Sequence, residues 1–141
     1  MSEAEAPPEP PEGFVAMSRR GEFSRRNGPY FSRPREDGVE QAFFAAPRHC
    51  NGLGIVHGGM LAAFFDGLLA NAVGRKAGRT GVTIHLSIDY LTMARAGEWV
   101  FGEARATRVT QDVGFAEGRI HVGGRDVVRG SGLFKLMHKR D

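Results

Sequence analysis

The feature that most constrains the fold of this chain is a change in the period of its apolar residues. Between His57 and Arg75 the apolar residues recur with helical spacing and wrap most of the way round one helix, which predicts that the helix is buried. Four runs after it alternate between apolar and polar residues, as strands do, over residues 82–89, 99–109, 115–122 and 126–137. The connections between these runs are short, which predicts antiparallel neighbours.

The strand runs also indicate how the sheet meets the helix. In the first run a regular alternation separates an apolar face from a polar one, namely Val82, Ile84, Leu86 and Ile88 against Thr83, His85, Ser87 and Asp89. Two later runs carry small residues on one face, which leaves room for a Phe-rich helix: Gly102, Ala104, Ala106, Gly130 and Gly132. With an earlier strand at residues 39–46, the predicted fold class is α+β, a long antiparallel sheet curled around one central helix.

Length and composition bound the domain organisation. A chain of 141 residues has room for one domain. Residues 1–12 are dominated by Pro and Glu and predict a disordered tail, so the single domain is expected over residues 13–141, with residues 13–35 covering one of its edges. One cysteine, Cys50, excludes an intrachain disulfide, and the start shows no apolar signal segment, which together favour the cytoplasm. The apolar helical run contains four glycines and an acidic residue, so no membrane span is predicted.

The charge of the chain indicates an anionic small molecule more than a nucleic acid. The net charge is +3, and because residues 1–12 hold four Glu and no base, the remainder carries 19 minus 12, or +7. This excess suits a phosphorylated ligand. The arginines are spread along the chain with no basic and aromatic stripe and no known nucleic-acid motif, so no nucleic-acid partner is predicted.

Asp66 is the most informative single residue. It is the only ionisable residue between His57 and Arg75, and it lies in the middle of the apolar helix. Asp is a poor residue for a helix interior, and a buried carboxylate is costly unless it is paired. Either a neighbouring serine or backbone amide simply satisfies this carboxylate, or it carries out chemistry.

A glycine-containing loop, residues 51–59 with the sequence NGLGIVHGG, runs directly into the start of the helix. The first N–H groups of a helix point outward with the positive end of its dipole behind them, so Gly58 and Gly59 can present an amide that binds an oxyanion. An ordinary glycine-rich turn is the alternative interpretation. The loop lacks the spacing of a dinucleotide fingerprint and the lysine of a phosphate loop.

Metal binding is the other chemistry that this region could carry. His49, Cys50 and His57 could act as ligands, with Asp66 as a fourth. However, His49 and Cys50 are adjacent and would point to opposite sides of an extended segment, and no HxxxH pair supports them. We therefore predict no metal site. Cys50 is interpreted as a buried or interfacial thiol, because nothing in the sequence places a base beside it.

The order of Asn51, then His57-Gly58-Gly59, then Asp66 on the following helix resembles the active-site signature of hot-dog fold acyl-CoA thioesterases, in particular the phenylacetate-degradation (PaaI-like) branch. The similarity covers about residues 28–138. The resemblance implies the hot-dog fold, in which an antiparallel sheet wraps around one central helix. It also implies a homodimer or a dimer of dimers, with chains joined edge to edge and a site at each shared boundary.

Carried over residue by residue, the resemblance implies that Asp66 activates water or attacks the thioester itself, on a substrate held largely by the partner chain. Gly58 would supply the backbone N–H that polarises the thioester carbonyl, and Asn51 would orient the water or the carbonyl. His57 would shape the loop and hydrogen-bond near the substrate. Thr83 matches a hydroxyl position on the strand after the helix. No cofactor is implied, because coenzyme A is part of the substrate.

The implied function is hydrolysis of an acyl-CoA thioester to the free acid and CoA. Two alternatives stay open: an acyl-CoA hydratase or dehydratase on the same fold, and a non-catalytic protein that binds acyl-CoA or an aromatic ligand. The candidates for contact with the CoA phosphates are Arg95, Arg108, Arg125 and Arg129. The acyl group is expected to lie against apolar residues of the helix, namely Leu61, Phe64, Phe65 and Leu69.

Overall fold

One antiparallel sheet and one long helix dominate the computed structural model, which describes residues 6–18 and 21–138. In the described chain the strands are β1 (Val15–Ala16), β2 (Phe31–Arg33), β3 (Val39–Phe44), β4 (Gly81–Tyr90), β5 (Trp99–Val109), β6 (Val113–Val122) and β7 (Arg125–Leu136). The helices are α1 (Glu22–Asn27) and α2 (Gly58–Ala77), with a 3-10 turn at Pro47–His49. The strands lie in the order β1, β2, β3, β5, β6, β7, β4. The α+β fold with a sheet around a central helix is confirmed.

The helix α2 packs its large apolar residues against the sheet. It begins at the N-cap His57 and ends at Gly78, whose φ of 68° is the left-handed conformation that favours glycine at this position. The side chains that face the sheet are almost completely buried: Met60, Leu61, Phe64, Phe65, Leu68, Leu69, Ala72 and Val73. They form one core with inner-face residues of the sheet, including Val100, Ile120, Val128 and Phe134.

Glycines on the inner face of the sheet allow the helix to approach closely, as the sequence predicts. A Cβ on Gly102 would lie 2.7 Å from Cδ2 of Leu68 and 2.9 Å from Cε2 of Phe64. A Cβ on Gly130 would lie 2.9 Å from Cε2 of Phe65. Real Cβ atoms do not approach other atoms this closely, so any larger residue would force these packed side chains of the helix to shift.

The opposite face of α2 is open, which corrects the prediction of a fully buried helix. Its residues are small and half-exposed or exposed: Gly59, Ala62, Ala63, Gly67, Ala70, Asn71 and Gly74. Apolar residue types do surround most of the helix. On the open face, however, they are mainly alanine and glycine, whose side chains offer little apolar surface to bury. Among the described residues, no helix is long and apolar enough to cross a membrane.

The strand β4 forms one edge of the sheet and pairs with β7. The short connections predicted that β4 and β5 would be neighbours, and this is wrong. The connection after β4 instead crosses the end of the sheet, where Leu91 N–H donates to Val127 O at 2.8 Å and Val56 N–H donates to Ala94 O at 2.8 Å. Ala94 is completely buried, so the crossing segment is part of the core.

The N-terminal segment covers the other edge of the sheet. It adds the short strands β1 and β2 beside β3, and it forms a second, smaller apolar cluster on the sheet face opposite α2, with Phe14, Phe31, Ala42, Trp99 and Phe101. This cover was expected for residues 13–35, although its two strands were not. The disordered tail predicted for residues 1–12 lies outside the described residues over 1–5, as does the end of the domain over 139–141.

The close contact between sheet and helix predicts that Gly102→Ala destabilises the fold. The added methyl group must displace Leu68 or Phe64 in a densely packed core, so we expect the free energy of unfolding to fall by about 1–3 kcal/mol. Chemical denaturation measures it. Gly52→Ala is the matched control because no atom lies within 4 Å of its Cβ position, and we expect a change below about 0.5 kcal/mol. Wild-type stability of Gly102→Ala would contradict this packing.

Candidate active site

Asp66 and Thr83 meet between the central helix and the edge strand. Thr83 Oγ1 donates a hydrogen bond to Asp66 Oδ1 at 2.5 Å. Asp66 is half-buried at the border of the open face of α2, and Thr83 is exposed, so the carboxylate is less enclosed than the sequence indicated. A short bond from a hydroxyl to a carboxylate is charge-assisted and holds the acceptor in one orientation. Asp66 therefore has one fixed oxygen and one oxygen left for other partners.

A β-bulge turns Thr83 toward the helix. The regular alternation predicted Thr83 on the polar face with His85 and Ser87, and this is wrong. The register between β4 and β7 shifts between Thr83 and His85, so Thr83 pairs with the buried Phe134 and shares the inner face with Leu86. Because the side-chain period of a strand is two, one extra residue reverses the facing of everything before it.

The bulge also exposes two apolar residues that the alternation placed inside. Val82 and Ile84 are each 54% exposed in the chain. They lie on the edge strand, next to backbone groups that have no neighbouring strand on that side in the described structure. Apolar residues on an open edge are a template for pairing with another strand.

The start of α2 leaves one amide free. Gly59 N–H donates to Nδ1 of His57 at 2.7 Å, so His57 caps the helix with its own ring. Met60 N–H and Leu61 N–H both donate to the carbonyl of His57. Within the described chain, the N–H of Gly58 has no acceptor. Gly58 therefore presents the unpaired donor at the positive end of the helix dipole.

Tyr90 lies beside this amide and was not singled out from the sequence. Its hydroxyl donates to the carbonyl oxygen of Gly58 at 2.7 Å, and its ring lies over Gly58, where a Cβ would be 3.5 Å from Oη. Tyr90 is the last residue of β4, opposite the buried Val128 on the inner face. No spacing in the sequence indicates this contact, because it depends on where β4 crosses the helix.

Asn51 organises the loop before the helix. Its Oδ1 accepts from Leu53 N–H at 2.9 Å and from Ile55 N–H at 3.3 Å. The Nδ2 group of this exposed side chain has no acceptor in the part of the chain that the structure describes. The loop is also joined to the crossing segment by a β-bridge between Ile55 and Arg95. Asn51 can thus donate to a ligand without disturbing the loop that it holds.

His49 and Cys50, which the sequence analysis considered as metal ligands, make other contacts within the fold. His49 is buried, its Nδ1 accepts from Ala46 N–H at 3.0 Å, and its Nε2 bonds to Asn27 O at 2.8 Å, so both ring nitrogens are used within the fold. Burial raises the pKa of the Cys50 thiol, and the thiol donates to Ala46 O, which disfavours its action as a nucleophile. The described residues contain no group of His, Cys, Asp and Glu that could hold a metal ion.

One hollow borders the start of α2, and a second runs along the open face of the same helix. A cavity of about 270 Å³ lies between α1 and the loop, beside His57, Gly59 and Ala63. A larger groove of about 1420 Å³ runs along the open face of α2 and is lined by Ala63, Phe64, Gly67, Ala70 and Gly74, with Tyr30 and Phe23 opposite. Of the apolar residues expected to meet an acyl group, Phe64 lines this groove. The other three, which are buried like Phe64, do not line it: Leu61, Phe65 and Leu69.

The four candidate arginines divide into two pairs. Arg125 bonds to the carboxylate of Glu98 and to Met93 O, and Arg129 pairs with Asp126 at 2.9 Å. The guanidinium groups of Arg95 and Arg108 have no anionic partner among the described residues. Arg95 is the one that adjoins the loop carrying Asn51, through its bridge to Ile55.

Known proteins are similar to this chain in sequence and in fold. The family model described as "Thioesterase superfamily" matches residues 53–129, which is more than half of the chain. A Pseudomonas aeruginosa protein named "Putative esterase PA0474" is 36% identical over 131 residues, covering 89% of this chain and 96% of that protein.

Two solved structures are similar in fold. The Escherichia coli PaaI protein from the phenylacetic acid degradation operon matches with a TM-score of 0.75 at 19% identity, over 82% of this chain and 84% of that one. A hypothetical thioesterase from Streptococcus pneumoniae, solved with coenzyme A, matches with a TM-score of 0.73 at 21% identity, over 91% of this chain and 98% of that one. The chain belongs to the thioesterase superfamily and has the hot-dog fold.

Proposed function

We propose that this protein hydrolyses an acyl-CoA thioester to a free acid and CoA. The observation that carries the proposal is the pair of groups that the structure prepares, namely the Asp66 carboxylate held by Thr83 and the free amide of Gly58 at the start of α2. Membership in the thioesterase superfamily supports thioester hydrolysis in general. The acyl-CoA substrate, the residue roles and the assembly are the specific parts of the proposal.

The proposed chemistry needs one donor and one base. The N–H of Gly58 hydrogen-bonds the thioester carbonyl, whose oxygen gains negative charge as the carbonyl carbon is attacked. Asp66 takes a proton from the attacking water, or adds to the carbonyl itself to form an anhydride that water then cleaves. In both routes the C–S bond breaks, the thiolate of CoA leaves and is protonated, and the acyl group departs as the acid. Asn51 orients the water or the carbonyl through Nδ2, and His57 shapes the loop.

Coenzyme A is proposed as the leaving group on three grounds. A fold relative was solved with coenzyme A bound. The groove of about 1420 Å³ on the open face of α2 is large enough for an extended ligand. Arg95 provides an unpaired guanidinium beside the loop, where it is available to a phosphate.

A cytoplasmic location stays a prediction from the sequence.

The proposed assembly is a homodimer, or a dimer of such dimers, because the two reacting groups, the Gly58 N–H and the Asp66 carboxylate, lie too far apart within one chain. Gly58 and Asp66 are eight residues apart on one helix, which is about 12 Å along its axis. A carbonyl and one bridging water span less than this, since each hydrogen bond covers about 3 Å. The two groups can meet at one thioester if each site is shared between chains. One chain then supplies Gly58 and Asn51, and a second chain supplies Asp66 and Thr83. The open edge of β4, with Val82 and Ile84 exposed, supports pairing with the same strand of a second copy.

The first prediction from the proposed function concerns the Asp66 carboxylate. Asp66→Asn and Asp66→Ala remove the base, so we expect kcat for acyl-CoA cleavage to fall by about 10²–10⁴-fold while the proteins stay folded. Release of free thiol from phenylacetyl-CoA, benzoyl-CoA and medium-chain acyl-CoA measures it. Asp112→Asn, in the exposed turn before β6, is the matched control and should match the wild type. Bound acyl-CoA with no turnover in the wild type would instead favour a non-catalytic binding protein.

The second prediction concerns the hydroxyl that holds Asp66. Thr83→Val keeps the shape of the side chain but removes the bond to the carboxylate, so we expect kcat to fall by about tenfold or more. Thr83→Ser keeps the hydroxyl and should retain most of the activity. Steady-state kinetics on the best substrate distinguish these variants. Equal activity of Thr83→Val and Thr83→Ser would show that the hydroxyl is not needed.

The third prediction tests the shared site. Asn51→Asp keeps the oxygen that accepts from Leu53 and Ile55 but loses the Nδ2 donor, and Asp66→Ala loses the base. Each variant alone is expected to be nearly inactive. Unfolded together and refolded, they should recover about a quarter of the wild-type activity, because about half of the dimers are mixed and each mixed dimer has one intact site. Each variant refolded alone and the wild type carried through the same refolding are the controls. If the refolded wild type regains its activity and the mixture does not, the whole site lies within one chain.

A further inference from the structure

Tyr90 bonds to the residue whose N–H the proposed reaction uses. Its hydroxyl donates to Gly58 O at 2.7 Å, and its ring lies in contact distance over the same residue. The side chain is 52% exposed, so the fold does not bury it for the sake of the core. A large aromatic side chain held over a glycine at an exposed helix start needs a reason beyond packing.

The two peptide units on either side of the Gly58 Cα are fixed by different contacts. The unit before it is fixed by the helix, because His57 O accepts from Met60 N–H at 2.9 Å and from Leu61 N–H at 3.1 Å. The unit after it is held at both ends. Its N–H, which belongs to Gly59, donates to the His57 ring, and its carbonyl accepts from Tyr90 in addition to the bond it makes within the helix. Tyr90 therefore completes the set of contacts that fixes the backbone of Gly58.

Two consecutive glycines make this set of contacts necessary. Glycine has no Cβ to restrict its backbone, so the first turn of α2 has more conformational freedom than other residues would allow. An N–H that stabilises an oxyanion must lie about 2.7–3.1 Å from it with little reorganisation. The glycines leave room for a substrate to approach, and the freedom that they introduce has to be removed by other groups.

We propose that Tyr90 is a positioning residue that fixes the backbone on the far side of Gly58 and so limits movement of the Gly58 N–H relative to the developing oxyanion. This inference rests on the thioesterase function proposed above and adds to it a residue outside the signature of Asn51, His57, Gly58 and Asp66. Tyr90 acts through the backbone and does not touch the reacting carbonyl.

The kinetic test compares two hydroxyl deletions near the end of β4. Tyr90→Phe keeps the ring over Gly58 and removes only the hydrogen bond, so we expect kcat to fall by about three- to tenfold, with KM changed less than about twofold. Thr92→Val is the matched control, because its hydroxyl donates to Asp126 O at 2.9 Å, away from the helix. We expect it to behave as the wild type. An unchanged kcat in Tyr90→Phe, or an equal loss in Thr92→Val, would overturn the proposal.

A second readout needs no substrate. The backbone amides of Gly58 and Gly59 are followed by NMR, and we expect Tyr90→Phe to shift both resonances and to speed hydrogen exchange of the Gly59 amide by about threefold or more. Thr92→Val should leave both unchanged. If the wild type cleaves no thioester, the proposed function fails, whereas the role of Tyr90 in fixing this backbone is still decided by exchange. Identical exchange in the two variants would refute that role.

Discussion

The structure depends on how closely the Phe-rich face of α2 approaches the inner face of the sheet. Gly102 and Gly130 provide the space, because a methyl group at either position would collide with Phe64 or Phe65. The aromatic side chains gain full burial, and the helix axis is fixed at one distance from the strands. That distance also determines whether a hydroxyl on the edge strand can reach a carboxylate on the helix. The core and the site thus share one geometric requirement.

The edge strand β4 supplies the side chains that contact the candidate site residues of α2. A bulge at the beginning of β4 turns Thr83 toward Asp66, and the end of the same strand places Tyr90 over Gly58. The strand therefore contacts α2 through hydroxyl groups at two places, one near each of the proposed reacting groups. The cost is an exposed edge that carries Val82 and Ile84, and the proposed dimer would cover it.

Much of the fold could be predicted from the sequence, because period and composition report directly on helices, strands and small-residue faces. The bounds of α2 and of the four later strands agree with the patterns to within about three residues. The strands β1 and β2 have two and three residues, too few to show a period. The pairing of β4 with β7 depends on the path of the chain after Tyr90, which local patterns do not contain.

The parts of the candidate site that lie in one continuous stretch of sequence could be predicted. The parts that depend on how distant elements pack together could not. Asp66 and the loop from Asn51 to the helix stand out because a charge in an apolar helix and glycines at a helix start are unusual locally. The facing of Thr83 is set by a bulge, and alternation alone gives the opposite face. Tyr90 is an ordinary strand residue until the crossing of β4 and α2 is known.

The two faces of α2 serve different properties of the protein, the stability of the core on one face and the shape of the groove on the other. Most residues that set stability face the sheet, whereas the small residues that line the groove, Ala63, Gly67, Ala70 and Gly74, lie on the other side of the same helix. Phe64 is the residue of α2 that both lines the groove and belongs to the core. Enlarging one of these small residues would shorten or reshape the groove without disturbing the packing of Phe65 or Leu68. Under the proposed function, in which this groove takes the substrate, substrate range can therefore change by single substitutions at little cost to folding.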